Sequence, residues 1–246
     1  GLLFALTRRG DNIAIRWSNF RPTWRALYEI FLGGSPSLSR QGLLCIATML
    51  LNHAAAQYGD AAIAGMSIVN RITMLVMAFV IGLGQGFQPV CGFCYGAGKY
   101  KRVREAFWFC VKVATVILLV LGGISMVFSG PIITAFRRDD AEVIAIGTLA
   151  LRLQLLTLPL WGFIVMSNMF TQSIGYGVRA TIISISRQGL FLIPALLILP
   201  RLFGLPGIQC AAPISDLCAF VLSLAVVLGI LRRFEKMPDR EDAPKT

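Results

Sequence analysis

The sequence predicts an all-α integral membrane protein, a bundle of six transmembrane helices, from its composition and from the spacing of its apolar residues. Of its 246 residues, 56% are hydrophobic and 14% are charged, and the mean hydropathy is +0.72. A water-soluble domain carries roughly 25% charged residues, so too little charge is present to cover a soluble surface. The apolar residues also form long blocks, and about 20 of them as a helix cross a hydrocarbon core of roughly 30 Å.

The first 29 residues are predicted to lie outside the bundle. Residues 1–6 are apolar but too short to span a bilayer, and we interpret them as the end of a preceding helix. Residues 7–28 are polar and basic and contain Trp17 and Trp24, residues typical of membrane interfaces. Residues 1–29 are therefore expected to combine a helix end with a cytoplasmic connecting loop.

The six predicted spans occupy residues 30–231 and are separated by turn signals or by charge. Tyr58-Gly-Asp ends the first, a Gly-rich stretch with a basic cluster follows the second, and Gly130-Pro131 ends the third. The predicted spans are residues 30–57, 61–90, 106–128, 142–169, 180–199 and 208–231. Residues 232–246 are polar and are expected to form a cytoplasmic tail.

The distribution of Lys and Arg predicts the orientation. Fifteen of the 23 basic residues fall in the segments 8–25, 99–104 and 232–245 and at Arg179. Three lie in the opposite loops, at Arg137, Arg138 and Arg201, and five lie within spans. Basic loops stay in the cytoplasm, so both ends of the chain are expected there, in a multi-pass protein of the plasma (inner) membrane.

The sequence argues against a nucleic-acid-binding protein and against an enzyme. The net charge of +11 comes from short clusters between apolar blocks, not from a basic face of a soluble domain. The single His53 has no HExxH motif around it, and there is no GxxxxGK[ST] nucleotide-binding motif. The Cys91-Gly-Phe-Cys94 motif has no second pair to complete a metal site, so the six cysteines are interpreted as small apolar residues.

Polar residues recur at helical spacing within three of the spans. Gln41, Thr48 and Asn52 share one face of the first span, and similar stripes follow in the second and fourth. Such stripes can hydrogen-bond neighbouring helices or face a water-accessible cavity. Three stripes with interleaved Met and Trp favour a cavity, since these side chains adapt to many apolar ligands. The predicted substrate cavity is formed by Gln41, Asn52, Asn70, Met74, Gln154, Trp161, Asn168 and Gln172.

Charged residues inside the spans form a second candidate group. Arg40, Arg71, Arg152, Arg187 and Asp216 are the embedded charges that need a partner, because a charge at the bilayer centre costs about 2.5–3.5 kcal/mol. Asp216 is predicted to pair with an arginine, and a proton-carrying role is the alternative. The excess of arginines over acids suggests partners outside this chain.

Several motifs resemble the multidrug and toxic compound extrusion (MATE) family. They are Gly34-Ser-Pro-Ser-Leu-Ser-Arg-Gln-Gly42, Tyr58-Gly-Asp-Ala-Ala-Ile-Ala64, Ile68-Val-Asn-Arg-Ile72, Gly82-Leu-Gly-Gln-Gly-Phe-Gln-Pro-Val90, Gly92-Phe-Cys-Tyr-Gly-Ala-Gly98, Gly175-Tyr-Gly and Arg187-Gln-Gly-Leu-Phe-Leu-Ile-Pro194. The fourth and fifth together are similar to a helix signature of the family's C-terminal half. The resemblance covers residues 1–235.

The resemblance implies spans seven to twelve of a twelve-helix antiporter whose N-terminal six-helix lobe is not in this chain. Such exporters expel cationic or amphipathic drugs in exchange for protons or sodium and need no organic cofactor. Some members carry coupling acids on spans seven and ten, but residues 31–59 and 143–174 contain no Asp or Glu. Two other functions stay open: a lipid-linked saccharide flippase, and a membrane scaffold that does not transport.

Overall fold

The computed structural model describes residues 23–136, 140–235 and 237, and every regular element in this part of the chain is helical. We number the helices α1 (Trp24–Ala56), α2 (Asp60–Gly96), α3 (Tyr100–Val127), α4 (Ser129–Phe136), α5 (Ala141–Ser173), α6 (Gly177–Ile185), α7 (Ile193–Phe203) and α8 (Leu205–Glu235), with a π-helical segment, Ser186–Leu192, between α6 and α7. The chain divides into two compact units, residues 1–35 and 36–246. In the first unit residues 23–35 are described, and they include the start of α1; the following paragraphs concern the second unit.

Five helices of the described chain are long and apolar enough to cross a membrane: α2, α3, α5, the run Gly177–Phe203 and α8. The predicted all-α membrane fold is confirmed. The first predicted span lies on α1, whose apolar part, Gln41–Ala56, is shorter than the others. The preceding stretch, residues 35–40, contains three Ser, Pro36 and Arg40, which lower its hydropathy.

Helix α5 lies at the centre and packs against α2, α3, α4, α6 and α8. Glycines permit its closest contacts. A Cβ atom on Gly65 of α2 would lie 3.2 Å from the backbone nitrogen of Gly147, and one on Gly162 would lie 3.2 Å from that of Thr115 on α3. Small residues at these crossings allow backbones to approach, as is usual between membrane helices.

Helices α2, α3 and α8 extend beyond their predicted spans at one end of the bundle. Helix α2 continues through the Gly-rich stretch to Gly96, α3 begins at Tyr100 within the basic cluster, and α8 continues to Glu235. Packing explains the extensions: Arg104 forms an ion pair with Glu235, and the rings of Tyr95, Tyr100 and Phe234 lie together. Tertiary contacts therefore outweigh the low helix propensity of glycine here.

The fifth predicted span forms α6, the π-helical segment and α7, which form one continuous run. It does not stop at Pro200, as the sequence suggested, but at Gly204, whose φ of 66° ends the helix in a conformation that favours glycine. Gly189 in the π-helical segment allows close contact with α1, because a Cβ there would lie 2.9 Å from Leu43 Cδ1.

The loop predicted after the third span contains the short helix α4, which Pro131 permits because it lies in the first turn. Asp140 caps α5, with its carboxylate accepting a hydrogen bond from the Val143 backbone N–H at 3.3 Å. Residues 1–22, 137–139, 236 and 238–246 lie outside the described residues, as do the predictions of a helix end, a loop and a tail that fall on them.

Candidate functional site

A cavity of about 310 Å³ lies between α1, α2, α5, the π-helical segment, α7 and α8. Its wall is mostly apolar and includes the flexible side chains of Met66, Met74 and Met77. Polar groups from four elements interrupt it, among them Asn70 and Thr73 on α2. An apolar surface with a few polar groups, at a volume near the lower end of the ~300–1,000 Å³ usual for ligand sites, is typical of small-molecule binding.

Arg187 is the only charged side chain among the described residues that line this cavity. Its guanidinium carbon lies 3.7 Å from the centroid of the Trp161 ring, which therefore covers one face of the cation. The Arg187 side chain keeps 21% of its surface exposed. Trp161 is 5% exposed, and its Nε1–H has no hydrogen-bond partner among the described residues.

Asp216 lies behind Arg187 and does not line the cavity. It is 1% exposed, and its two oxygens accept from three donors. Arg187 Nε donates to Oδ1 at 2.6 Å, while Gln154 Nε2 and the Thr157 hydroxyl donate to Oδ2 at 2.8 and 3.1 Å. The buried carboxylate is thus fully hydrogen-bonded, which a charge away from water requires.

Two interruptions in the helices position the residues around Arg187 and Asp216. Pro159 lies inside α5 between Thr157 and Trp161, and a proline at that position removes one backbone hydrogen bond from the helix. The π-helical segment carries Arg187, and the Ser215 hydroxyl of α8 donates to the Arg187 carbonyl oxygen at 2.6 Å. That contact ties the segment to the residue next to Asp216.

Five of the eight residues predicted to face a substrate cavity line this one: Gln41, Asn70, Met74, Gln154 and Trp161. The other three do not line it. Asn52 is exposed on α1, and Asn168 and Gln172 belong to a separate hydrogen-bonded cluster. Contact of any of these residues with a substrate stays a prediction.

The separate cluster joins α2, α5 and α6. Asn168 Nδ2 donates to the Ala180 carbonyl at 3.0 Å and to Ser184 Oγ at 2.5 Å. Its Oδ1 accepts from Gln172 Nε2 at 2.9 Å, and Gln172 Oε1 accepts from Gln88 at 3.3 Å. Here the polar residues of α5 pack helices together, which was the alternative interpretation of the stripe.

The structure also places the other predicted embedded charges. Arg152 is exposed and its Nε donates to Ser129 Oγ at 2.9 Å. Arg71 is exposed on α2 and has no hydrogen bond or ion pair with any described residue. The side chain of Arg40 lies outside the described residues. Of this predicted group, Arg187 and Asp216 are brought together.

Gln188 is a site residue that the sequence analysis did not select. It lines the cavity, is 8% exposed, and its Oε1 has no partner among the described residues. The sequence could have indicated Gln188 as a site residue, because an amide beside Arg187 in an apolar span is costly to bury without a partner. The helical spacing that picked out the other stripes does not apply within a π-helical segment.

The fold and the site together define a multi-pass helical membrane protein with a mixed apolar and polar cavity between its helices. Residues 36–197 match the MatE family profile, which is more than half of the chain. The chain belongs to the MatE family. MATE proteins are a transporter family, as the resemblance of the Gly-rich motifs implied.

The chain is similar to two multidrug export proteins named MepA. It is 30% identical to that of Staphylococcus saprophyticus over 225 residues, which are 90% of this chain and 49% of the relative. It is 27% identical to that of Staphylococcus haemolyticus over 236 residues, 95% of this chain and 51% of the relative. The chain therefore spans about half the length of the curated relatives it matches.

Solved structures show the same fold. A MATE protein crystallised in complex with MaL6 superposes with a TM-score of 0.84 at 24% identity, covering 96% of this chain and 54% of that one. The Vibrio cholerae MATE transporter VcmN in its bent form also gives 0.84, at 18% identity, covering 96% of this chain and 53% of that one. At these identities the likeness concerns the fold alone.

Proposed function

We propose that this chain is the C-terminal lobe of an exporter that expels drugs and other xenobiotics from the cell in exchange for protons or sodium. The observation that carries the proposal is the cavity of about 310 Å³, with its methionines and its few polar groups, in a lobe of the MatE family. Such a surface suits many apolar molecules, because methionine side chains adapt to ligands of different shape.

The proposal includes a second six-helix lobe that supplies the opposite wall of the cavity. In alternating-access transporters two related halves move about a site at their interface near the middle of the membrane. The chain spans about half of its relatives, which supports this arrangement. The basic clusters favour both ends of the described bundle in the cytoplasm.

We place the coupling ion site outside the Asp216 group. The carboxylate of Asp216 already accepts three hydrogen bonds and does not line the cavity. A site that exchanges protons or sodium during transport needs a route for them, which this enclosed carboxylate does not have. The acid that couples transport would then lie in the other lobe.

Cysteine labelling tests the cavity. In a background without the six native cysteines, single cysteines at Gln41, Asn70 and Met74 should react with a membrane-impermeant maleimide. Substrate should protect them. A cysteine at Leu118, which is fully buried, is the matched control and should not react. Protection of all three cavity positions in the absence of substrate would contradict the proposal.

Transport tests the second lobe. The 246-residue chain alone in proteoliposomes should give no dye efflux driven by a proton or sodium gradient, since alternating access needs two lobes. Fusion to the N-terminal half of the Staphylococcus saprophyticus MepA relative supplies a second lobe, and efflux should then appear under one of the two gradients. Gradient-driven efflux by the chain alone would refute the two-lobe proposal.

A further inference from the structure

We propose that Arg187 forms an anion subsite in the cavity, and that the preferred ligands are apolar molecules carrying a carboxylate or phosphate group. The inference rests on the proposed function and adds the chemical class of the ligand. Its starting point is that Arg187 is the only charged side chain among the described lining residues, with its acid partner outside the wall.

The ion pair of Arg187 and Asp216 is oriented relative to the cavity. Asp216 is 1% exposed and lies behind Arg187, so the positive end of the ion pair lies at the cavity and the negative end lies in the protein. A ligand in the cavity meets the cation first. Surroundings of low dielectric constant strengthen this interaction compared with water.

Arg187 also keeps donors for a ligand. The Asp216 carboxylate uses Nε at 2.6 Å, and no described residue accepts a hydrogen bond from the two terminal guanidinium nitrogens. Those nitrogens form the fork that binds carboxylates and phosphates in bidentate fashion. The Nε1–H of Trp161, another group that can only donate, has no partner either among the described residues.

The same arrangement holds the arginine in place. The Trp161 ring lies 3.7 Å from the guanidinium carbon, the carboxylate of Asp216 fixes Nε, and Ser215 binds the Arg187 carbonyl. An arginine whose side chain is held by two contacts and whose backbone is held by a third loses little conformational freedom when a ligand binds, and this raises affinity. The apolar remainder of the wall would hold the rest of an amphipathic molecule.

The test compares three probes of nearly equal size on the 246-residue chain in an uncharged detergent: 2-naphthoate, 2-naphthamide and 2-naphthylmethylammonium. Binding is read from the fluorescence of Trp161, with Trp17, Trp24 and Trp108 replaced by Phe. Naphthoate should bind at least about tenfold more tightly than the amide, the lower end of what a hydrogen bond to a charged group contributes. The ammonium probe should bind most weakly.

Variants connect the preference to Arg187. The double variant Arg187→Gln/Asp216→Asn removes both charges without leaving one unpaired, so it should fold and lose the preference for naphthoate over the amide. Arg187→Lys should keep a smaller preference, because an ammonium lacks the planar fork. Arg71→Gln, which removes an exposed cation outside the wall, is the control and should change nothing.

Added phosphatidylglycerol distinguishes a lipid headgroup from a free anion as the ligand. Competition with naphthoate would identify lipid phosphate as an occupant of the subsite, and absence of competition would assign it to free anions. Equal binding of the three probes, tightest binding of the ammonium probe, or an unchanged preference in the double variant would overturn the inference while leaving the proposed cavity intact. Absence of binding by every probe would overturn the inference, whereas cysteine labelling and efflux by the two-lobe fusion decide the proposed function separately.

Discussion

Replacing Asp216 by Asn should destabilise the protein without changing which ion gradient drives transport. The carboxylate accepts hydrogen bonds from Arg187, Gln154 and Thr157. An asparagine side chain of the same shape has one oxygen and one NH2 group. It can still accept from Arg187, but its NH2 group would then meet the two donors of Gln154 and Thr157.

The magnitude follows from burial. Breaking a buried ion pair by removing one partner costs about 3–5 kcal/mol, because the other charge stays behind without compensation. Arg187 keeps 21% of its surface exposed toward the cavity, where water can solvate it, so we expect the lower end of that range. One kcal/mol shifts the melting temperature by roughly 2–4 °C in a domain of 150–250 residues, so about 3 kcal/mol corresponds to a drop of about 6–12 °C.

Thermal unfolding in detergent, followed by size-exclusion chromatography of the heated samples, measures the change. Glu142→Gln is the matched control, since it also removes one acid but at an exposed position in the first turn of α5. It should cost less than about 1 kcal/mol. A melting temperature of Asp216→Asn equal to that of the control would refute the argument. If Asp216→Asn keeps the melting temperature of the control and abolishes gradient-driven efflux in the two-lobe fusion, Asp216 is the coupling acid.

Two further predictions concern packing. Gly207→Ala should lower stability by more than 1 kcal/mol, because its Cβ would lie 2.3 Å from the Leu199 carbonyl oxygen. Gly229→Ala, with nothing within 4 Å, should be neutral or stabilising. Asn168→Ala should cost about 2 kcal/mol, at ~0.6 kcal/mol for each of its three hydrogen bonds, whereas Asn70→Ala in the exposed cavity wall should cost little. Thermal unfolding of each pair measures the differences, and equal values within a pair would contradict the packing argument.

The apolar blocks predicted the membrane helices well, because the bilayer requires about 20 apolar residues per span whatever the tertiary structure. The helix ends were predicted less well. Arg104 and Glu235 pair across 131 positions, and their ion pair lies on helical extensions that the sequence suggested were a loop and a tail. Contacts between residues so far apart in the chain leave no local signal.

The cavity could be predicted in part. Gln41, Asn70 and Met74 lie on regular α-helices, so the residues that helical spacing assigned to the cavity-facing side do line the cavity. On α5 the spacing grouped Gln154 with Asn168, although the first lies at the cavity and the second in a packing cluster. Helical spacing gives the face of a residue but not the neighbour that this face meets, and it does not reveal which arginine reaches Asp216.

The π-helical segment Ser186–Leu192 has a consequence for aligning this chain with other sequences. A π turn bonds each N–H to the carbonyl five residues earlier and so holds one residue more than an α turn. Since each residue of an α-helix advances about 100° around the axis, α7 begins about 100° out of phase with α6. An alignment with a sequence that is α-helical throughout this region must therefore contain a one-residue gap within 186–192, because a gap elsewhere would assign the wrong faces of α7 to the core.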